Sequence, residues 1–411
     1  MRALVFLTDP EPWPDELGPD APQLLRNLAT TPMALQEVPD ASVLADDWLT
    51  IDNRLTGICG SDSKQVLMDF EDGGDNMMTA FISFPQVLGH EVVGTVGHLG
   101  SAVSAVEPGQ RVVLDPWLSC APRGISPVCP ACAAGDLSGC WNFTTGRLSP
   151  GIHTGNAVEA TGGFADAVPA HESMVFAVPD AVSDEVAVLA DPWSVSFHAI
   201  TRNPPPPGGK VLVYGAGALG STSVAILTQL YDALDVGVVA RWPAQAALAR
   251  SMGATVFEPE PREALVEAVA AWSGATVLQP WNGLPVAYPG HVDVVYDTVG
   301  SPLTVEAAMR VLAYRGTLVQ MGVCSPARFE WTPWYFKELR LHGSNAFGVE
   351  TFEGQTKHAI QHYLDLTVDG RLDLTGMLTH RFGLADWREA FTTIIDQGTT
   401  GAIKVAFDYR D

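Results

Sequence analysis

Length, composition and charge limit what this chain can be. It has 411 residues, of which 47% are hydrophobic and 17% charged, which supports buried cores and excludes a disordered chain or a fibre. Asp and Glu outnumber Lys and Arg by 47 to 23, so the net charge of −24 disfavours nucleic acid and anionic membranes as partners. At roughly 150 residues per domain, we expect two or three domains.

The compartment is indicated by the start of the chain and by its cysteines. Residues 1–14 hold a short apolar run followed by acid and proline, unlike a secretory signal, and no run of about 18 apolar residues could span a bilayer. We therefore expect a cytoplasmic protein. In a reducing compartment, clustered cysteines favour a metal site over disulfides.

The first half of the chain has the pattern of a β-rich domain. Residues 1–185 contain short apolar runs interrupted by Gly and Pro, which predicts strands and loops. A helix is predicted next, over about 183–202. The segment Asn203–Gly209, NPPPPGG, is too rigid for a helix or a central strand and marks the entry to a second domain.

From Lys210 the pattern changes to strands that alternate with helices. Strands are predicted over Val211–Tyr214, Val236–Ala240, Val292–Asp297 and Thr317–Met321. Helices are predicted over Leu219–Leu234, Ala244–Met252 and Pro302–Ala313. This alternation predicts a doubly wound parallel sheet, so the fold class is α/β. Residues 276–291 are expected to form a surface insertion, and a last helix is predicted over Phe382–Gln397.

A glycine motif follows the first of these strands and opens a helix. It reads Gly215-Ala216-Gly217-Ala218-Leu219-Gly220. The first glycine permits a tight turn, the second lets a pyrophosphate approach the backbone, and the third allows close helix–strand packing. The helix N-terminus supplies free N–H groups for phosphate. In this setting the motif predicts a dinucleotide site rather than a purely structural turn.

The end of the second strand of this domain bears on the choice of cofactor. Sites for NAD usually carry an acid there, which binds the ribose hydroxyls. This chain has Ala240 and Arg241, and a guanidinium can pair with a 2′-phosphate. We therefore favour NADP over NAD, with a solvated loop arginine as the alternative.

Four cysteines within 21 residues predict a structural zinc site: Cys120, Cys129, Cys132 and Cys140. Four thiolates suit a closed tetrahedral zinc, and the CxxC core places two of them within one turn. Free buried thiols or a redox pair are the alternatives.

A second, open metal site is suggested upstream of the nucleotide domain. Cys59 lies in GICGSD and His90 in GHE, both next to glycines. A lone Cys or His is more often a packed core residue, but together they have the character of two zinc ligands. A catalytic zinc usually has three protein ligands and a displaceable water, and the third could be Asp191 or Glu91.

At this point the sequence resembles the zinc-dependent medium-chain alcohol dehydrogenases, in particular the branch of polyol, sugar and threonine dehydrogenases. The resemblance rests on GICGSD, GHEVVGTV, PGQRVV, the cysteine lobe, VLVYGAGALG and HVDVVYDTVG, in family order. It implies a GroES-like, β-rich catalytic domain over 1–195 and 345–411, with a Rossmann domain over 196–344 inserted. Relatives are commonly dimers or tetramers, so a homo-oligomer is implied as well.

The resemblance also implies roles for individual residues. Cys59 and His90 match zinc ligands, Glu91 an alternate ligand, and Asp191 a position where this branch usually carries Glu. Ser61 matches the hydroxyl that relays the substrate proton, whereas Lys64 replaces a relay histidine of many relatives. Positions that match the cofactor site are Thr298, Gly322 and Val323, which would line the nicotinamide, and Lys404, which would reach the phosphates.

The function implied is an NAD(P)-dependent zinc enzyme that oxidises a primary or secondary alcohol, such as a polyol, sugar or amino alcohol. A carbonyl reductase that works mainly in reverse and a non-catalytic NADP sensor are the alternatives. A zinc-free quinone or enoyl reductase would need neither metal motif. A lyase or epimerase with tightly held cofactor is a further possibility.

Overall fold

The computed structural model describes residues 1–13, 17–69, 77–322 and 330–410. Its strands are β1 (Arg2–Phe6), β2 (Met33–Glu37), β3 (Trp48–Gly57), β4 (Gln86–Val87), β5 (Glu91–Leu99), β6 (Arg111–Leu114), β7 (Ala167–His171), β8 (Val175–Ala177), β9 (Lys210–Tyr214), β10 (Asp235–Val239), β11 (Thr255–Phe257), β12 (Thr276–Leu278), β13 (Val286–Tyr288), β14 (Val292–Asp297), β15 (Leu312–Gln320), β16 (Arg340–Gly343), β17 (Val349–Phe352), β18 (Gln355–His358), β19 (Leu378–Phe382) and β20 (Lys404–Asp408).

The described residues also form α-helices. They are α1 (Gln23–Thr30), α2 (Gly60–Val66), α3 (Pro130–Ala133), α4 (Asp184–Ala187), α5 (Ala190–Arg202), α6 (Ala218–Gln229), α7 (Pro243–Ser251), α8 (Arg262–Ser273), α9 (Pro302–Val311), α10 (Thr332–Phe336), α11 (Ala359–Val368), α12 (Trp387–Ile395) and α13 (Gln397–Thr400). In the part of the chain that the structure describes, none of them is both long enough and apolar enough to cross a membrane.

The chain divides into two compact units. Unit 1 comprises Met1–Asp191, Gly348–Val368 and Leu378–Asp411, and unit 2 comprises Pro192–Phe347 and Asp369–Met377. The sequence placed the boundaries at 195 and 345. The observed division ends the first segment at 191, inside helix α5, and assigns 369–377 to unit 2.

Unit 1 is built from β-sheets. Its largest sheet has the order β19-β20-β3-β5-β6-β8, with β7 also paired to β3, and a smaller sheet has the order β2-β1-β4. The long strand β3 pairs antiparallel with β5 on one side and with β20 on the other, so the C-terminal strand of the chain lies beside residues from its first quarter. One core packs around Trp48 and Val92, and another around Phe164 and Trp387.

Unit 2 contains the doubly wound sheet. Its six strands are all parallel, in the order β11-β10-β9-β14-β15-β16. Counted from β9, the order of the parallel strands is 3-2-1-4-5-6, and the direction of winding reverses between β9 and β14. This confirms the predicted α/β class, a β-rich unit with a parallel sheet inserted. The expected insertion at 276–291 contains the antiparallel hairpin β12–β13.

Some predicted helices have different limits in the structure. The helix predicted over about 183–202 is two helices, α4 and α5. Pro192 has no N–H to donate to the Val188 carbonyl, so one helix cannot continue through this point, whereas proline is tolerated in the first turn of α5. The prediction of a helix over Phe382–Gln397 was wrong at its start, since Phe382 ends strand β19 and helix α12 begins at Trp387. Phe382 is in a strand because β19 pairs parallel with β20. This pairing is a tertiary contact, so local propensity could not predict it.

Candidate functional site

The open metal site forms where two antiparallel neighbours meet. Strand β3 ends at Gly57, two residues before Cys59, and strand β5 begins at Glu91, one residue after His90. Gly57 and Glu91 are register partners, so the pairing brings both motifs to the same end of the sheet. One ligand atom from each of Cys59, His90 and Glu91 lies within 4.8 Å of the other two. Sulfur, imidazole nitrogen and carboxylate oxygen are the donors that zinc takes in proteins, so the set fits the metal.

The close approach of the Glu91 side chain to strand β3 requires glycine at position 57. A Cβ atom built on Gly57 would overlap the carboxylate of Glu91 and lie 2.8 Å from Cε of Lys404. Any larger residue would therefore displace Glu91 from the ligand group.

Asp62 holds two of the ligand residues from behind. Its Oδ2 accepts a hydrogen bond from the Cys59 backbone N–H at 3.0 Å, and its Oδ1 lies 3.5 Å from Nδ1 of His90. Burial would raise the pKa of Asp62, but the His90 ring and the Cys59 N–H outweigh it and keep that pKa below its usual value. An imidazole whose Nδ1 faces a carboxylate presents Nε2 to a metal. The sequence analysis missed Asp62, although it lies in the GICGSD motif.

Lys404 lies beside Glu91. The two side chains form an ion pair, each is 1% exposed, and Lys404 Nζ donates a second hydrogen bond to the Ile58 carbonyl at 3.0 Å. Burial would lower the pKa of Lys404, but the negative charges of Glu91 and Cys59 outweigh it and raise that pKa. A lysine buried in this pair does not fit the expectation that Lys404 reaches the cofactor phosphates. The local sequence could not predict that Lys404 is buried, because its partner Glu91 lies far away in the chain.

Asp191 approaches the same buried charges without joining the group of three. It lies in the first turn of helix α5, and its Oδ2 has no hydrogen-bond partner among the described residues. Burial raises the pKa of Asp191 to about 7, and the charge of Glu91 adds to this, while His90 and Lys404 oppose it. A buried, unpartnered carboxylate oxygen is a polar group that a metal ion or its water could satisfy.

Ser61, the expected proton relay, is exposed in helix α2, two residues after Cys59. Its buried neighbour Ser63 donates a hydrogen bond to the Cys59 carbonyl at 3.1 Å and so belongs to the structure of the loop.

The four lobe cysteines come together as a compact sulfur cluster. All four Sγ atoms lie within 4.8 Å of one another, with Cys120 to Cys140 at 3.6 Å and Cys129 to Cys140 at 4.0 Å. A tetrahedron with zinc–sulfur bonds of about 2.3 Å separates its sulfurs by about 3.8 Å. None of these four cysteines forms a disulfide, so an oxidised redox pair is not present among them. The sulfurs accept hydrogen bonds, from Asn142 Nδ2 to Cys120 at 3.2 Å and from the Asn142 N–H to Cys140 at 3.3 Å. The cluster fits zinc.

Arg123 organises the loop that carries these cysteines. It is 1% exposed, and its guanidinium donates to five backbone carbonyls, those of Leu118, Thr145, Leu148, Ser149 and Gly151. No local pattern marks an arginine for such a position, and the sequence analysis missed it.

Two further side chains at the open site were also missed, His153 and Trp117. The His153 ring lies against His90 at a tilt of 45°, with 4.4 Å between centroids, and Trp117 meets His153 edge to face at 5.9 Å. A lone histidine in GIHTGN has no spacing signal, because its partner lies far away in the chain.

The glycine loop of unit 2 has a different role for each glycine. Gly215 follows β9 with φ of +96°, a conformation that favours glycine. A Cβ on Gly220 would overlap the Gly215 carbonyl, so this glycine allows helix α6 to pack against the strand. A Cβ on Gly217 would meet nothing within 4 Å. Gly217 caps the N-terminus of α6, where Ala218 and Leu219 begin the helix, and leaves open space for a phosphate group.

The remaining predicted cofactor residues lie at the carboxyl ends of neighbouring strands. Thr298 follows β14 and donates from Oγ1 to the Tyr214 carbonyl at 2.9 Å, which places it against the glycine turn. Ala240 and Arg241 follow β10, and the guanidinium carbon of Arg241 lies 4.7 Å from the centroid of the Trp242 ring. Gly322 packs against the backbone of residues 299–300, and Val323 lies outside the described residues.

This combination of a β-rich unit with an S/N/O ligand group and a parallel 3-2-1-4-5-6 sheet with a glycine loop defines the class of dinucleotide-dependent metal oxidoreductases. Comparison with known families gives the same class. The family model for the alcohol dehydrogenase GroES-like domain matches residues 45–180, and the model for the zinc-binding dehydrogenase matches residues 218–362.

Individual relatives agree with these family matches. The chain is 27% identical to (R,R)-butanediol dehydrogenase of Saccharomyces cerevisiae, over 88% of this chain and 91% of the relative. It is 29% identical to L-threonine 3-dehydrogenase of Mesorhizobium japonicum, over 91% and 95%. A candidate zinc-binding dehydrogenase from Sinorhizobium meliloti 1021 bound to NADP superposes with a TM-score of 0.68 and 26% identity, over 94% and 98% of the two chains.

The chain belongs to the zinc-dependent medium-chain dehydrogenase family. The resemblance seen in the sequence is thereby confirmed, as is the fold of a GroES-like domain with a Rossmann-type domain. It is an oxidoreductase of the alcohol dehydrogenase type.

Proposed function

We propose that this enzyme transfers a hydride between NADP and a primary or secondary alcohol of the polyol, sugar or amino-alcohol class, with NAD as the weaker cofactor. The observation that carries the proposal is the approach of Cys59, His90 and Glu91 to within 4.8 Å of one another. Strands β3 and β5 bring three potential metal donors together, and a purely structural packing role would not need a thiol, an imidazole and a carboxylate in one place.

We propose Cys59, His90 and Glu91 as the ligands of a catalytic zinc, with Asp191 beside them. Zinc, when bound there, would supply Lewis-acid chemistry that lowers the pKa of an alcohol oxygen. Asp62 keeps the His90 ring oriented, with Nε2 free to coordinate, and Lys404 balances one of the two carboxylates in the buried site. Ser61 relays the substrate proton: its hydroxyl oxygen accepts that proton as the hydroxyl, which is exposed, gives its own to solvent.

The nicotinamide cofactor supplies the hydride acceptor, and the chain holds it through the glycine loop. Gly217 and the N-terminus of α6 bind the pyrophosphate, while Thr298 and Gly322 line the nicotinamide. The preference for NADP is supported by Arg241, which follows β10 without an acid beside it and is oriented by Trp242.

A second zinc is proposed at Cys120, Cys129, Cys132 and Cys140, with a structural role only. A cytoplasmic location is also proposed, because the described cysteines form no disulfides and a reducing compartment keeps them available as zinc ligands.

A homodimer or homotetramer is proposed as the assembled state. Strand β16 is the outer strand of the parallel sheet among the described residues, and exposed aromatic side chains lie just before it, including Trp334, Tyr335 and Phe336. An unpaired sheet edge beside exposed aromatic rings favours association of copies.

The test is a panel of polyols, sugars, amino alcohols and simple alcohols, assayed with NADP and with NAD on protein whose zinc content has been measured. We expect two zinc ions per chain, turnover of at least one alcohol class, and a higher kcat/KM with NADP. Faster reduction of the matching carbonyls would favour the reductase direction. Cofactor binding without turnover of any alcohol or carbonyl would contradict the proposal and support a sensor.

A further inference from the structure

His153 lies next to a proposed zinc ligand but does not belong to the ligand group. Residues 152–154 run antiparallel to 116–118, with Leu118 N–H bonded to the Ile152 carbonyl at 3.0 Å and Thr154 N–H to the Pro116 carbonyl at 2.8 Å. This short bridge fixes the His153 ring between Trp117 and His90, at 5.9 and 4.4 Å between centroids.

The hydrogen bonding of His153 defines its tautomer. Its Nδ1 lies 2.8 Å from the Thr154 carbonyl oxygen. A carbonyl only accepts, so in the neutral imidazole Nδ1 carries the proton and Nε2 keeps a lone pair.

Nε2 is therefore an acceptor without a donor. Over residues 1–13, 17–69, 77–322 and 330–410, no protein group is hydrogen-bonded to it. The residue is partly exposed, so Nε2 is open to a molecule from solution. A structural histidine that only packs on His90 would not need an open acceptor on its far edge.

We infer that His153 is a substrate-positioning residue whose Nε2 accepts a hydrogen bond from a hydroxyl next to the reacting carbinol. This inference rests on the proposed function, because it assumes that the substrate oxygen binds at Cys59, His90 and Glu91. The centroids of the His90 and His153 rings lie 4.4 Å apart, so groups on adjacent carbons of one small substrate can meet both rings. The two neighbouring rings thus present one ligand position and one hydroxyl acceptor side by side.

The chemical class that satisfies this arrangement is narrow. Vicinal diols, polyols and α-hydroxyketones carry a hydroxyl donor on the carbon next to the reacting one. A monohydric alcohol leaves Nε2 unpaired, and a vicinal diketone places an oxygen lone pair against it. A bound substrate replaces solvent at Nε2, so a substrate that leaves this nitrogen unpaired loses binding free energy, and the site should discriminate against both.

The experiment compares 2,3-butanediol with 2-butanol, which share a carbon skeleton and differ in one hydroxyl. In the zinc-containing wild type we expect kcat/KM for the diol to exceed that for 2-butanol by at least about tenfold. His153→Phe keeps a flat ring on His90 and removes the acceptor. We expect it to lower kcat/KM for the diol at least about tenfold and to change that for 2-butanol by less than about threefold.

A second pair of variants keeps the test valid if the Phe variant does not fold. His153→Gln retains an acceptor oxygen and His153→Met, of similar length, does not, so the Gln variant should keep the larger preference for the diol. Calorimetric titration of each variant with 2,3-butanediol in the presence of reduced cofactor, where no turnover occurs, should show the same order of dissociation constants. Zinc content should be unchanged.

Three results would overturn the inference while leaving the dehydrogenase proposal intact. These are equal losses on both substrates, a preference that none of the variants changes, and a wild type that oxidises 2-butanol as well as the diol. A wild type that turns over no alcohol of the panel would instead overturn the proposed function, and this inference with it.

Discussion

Lys404 and Glu91 form an ion pair in which each side chain is only 1% exposed. They reach each other from opposite ends of the chain because β20 and β5 flank the same strand, β3. The pair lies at the proposed metal site, where a carboxylate and an ammonium would each be costly alone.

Lys404→Met should strongly destabilise the zinc-free protein, because without the metal it leaves Glu91 as an unpaired buried charge. We expect the free energy of unfolding to fall by about 3–5 kcal/mol in urea titrations. Lys357→Met is the matched control, since the Lys357–Asp365 pair is 36% and 38% exposed and should contribute less than about 1 kcal/mol. An equal loss of unfolding free energy in the two variants would show that burial of the Lys404–Glu91 pair does not increase its contribution to stability.

The two acids near the ligand group should differ in their effect on zinc affinity. Glu91→Gln removes a member of the three-residue group, whereas Asp191→Asn changes a carboxylate outside it. In chelator competition we expect Glu91→Gln to weaken binding of the catalytic zinc by more than about a hundredfold. Asp191→Asn should weaken it by about ten- to a hundredfold, as for groups that support a ligand. The reverse order would make Asp191 the third ligand.

Arg123→Met should disrupt the cysteine lobe. It leaves five backbone carbonyls without their donor, and we expect unfolding to become easier by about 3 kcal/mol or more and one zinc per chain to be lost. Arg147→Met, which removes a half-exposed pair with Asp47, serves as the control. Full zinc content and unchanged stability in Arg123→Met would contradict this role.

Asp184 should make stability depend on pH in the acid range. It contacts Arg54 at 2.7 Å, Arg111 at 2.9 Å and Arg410 at 3.3 Å. Burial would raise the pKa of Asp184, but Arg54 and Arg111 outweigh it and hold that pKa below its usual value. A carboxyl with a lowered folded-state pKa stabilises above its unfolded pKa of about 3.9, and the stability is lost as pH falls through the folded value.

Asp184→Asn should therefore be less stable than wild type near pH 6, and the difference should shrink as the pH falls below about 4. The measurement is the free energy of unfolding at several pH values, with Asp180→Asn as an exposed control. A constant difference between wild type and Asp184→Asn at all pH values would refute the linkage.

Arg241→Ala should reduce the preference for NADP. We expect KM for NADP to rise about tenfold or more and KM for NAD to change by less than about threefold, because only the 2′-phosphate loses its partner. Arg250→Ala removes an exposed positive charge from helix α7 and should leave the ratio unchanged. A parallel rise for both cofactors would assign Arg241 a different role.

The sequence by itself determined the features whose physics is local. Gly215, Gly217 and Gly220 specify a turn and a helix start within six residues, and the CxxC core brings Cys129 and Cys132 together within one turn. Strand–helix alternation after Lys210 predicted the parallel sheet, since each element's apolar period identifies it without reference to the rest of the chain.

Only the tertiary structure decided what lies between these features. Lys404, which the local sequence describes as a strand-end lysine, is buried against Glu91 because two distant strands share β3. A short β-bridge to Trp117 positions His153, and the fold of the cysteine lobe positions Arg123. Neither contact can be predicted from the spacing of residues in the sequence. Burial and charge pairing depend on contacts between residues that are distant in the chain. The ligand motifs could therefore be predicted from the sequence, but the groups that surround the ligands and shift their pKa values could not.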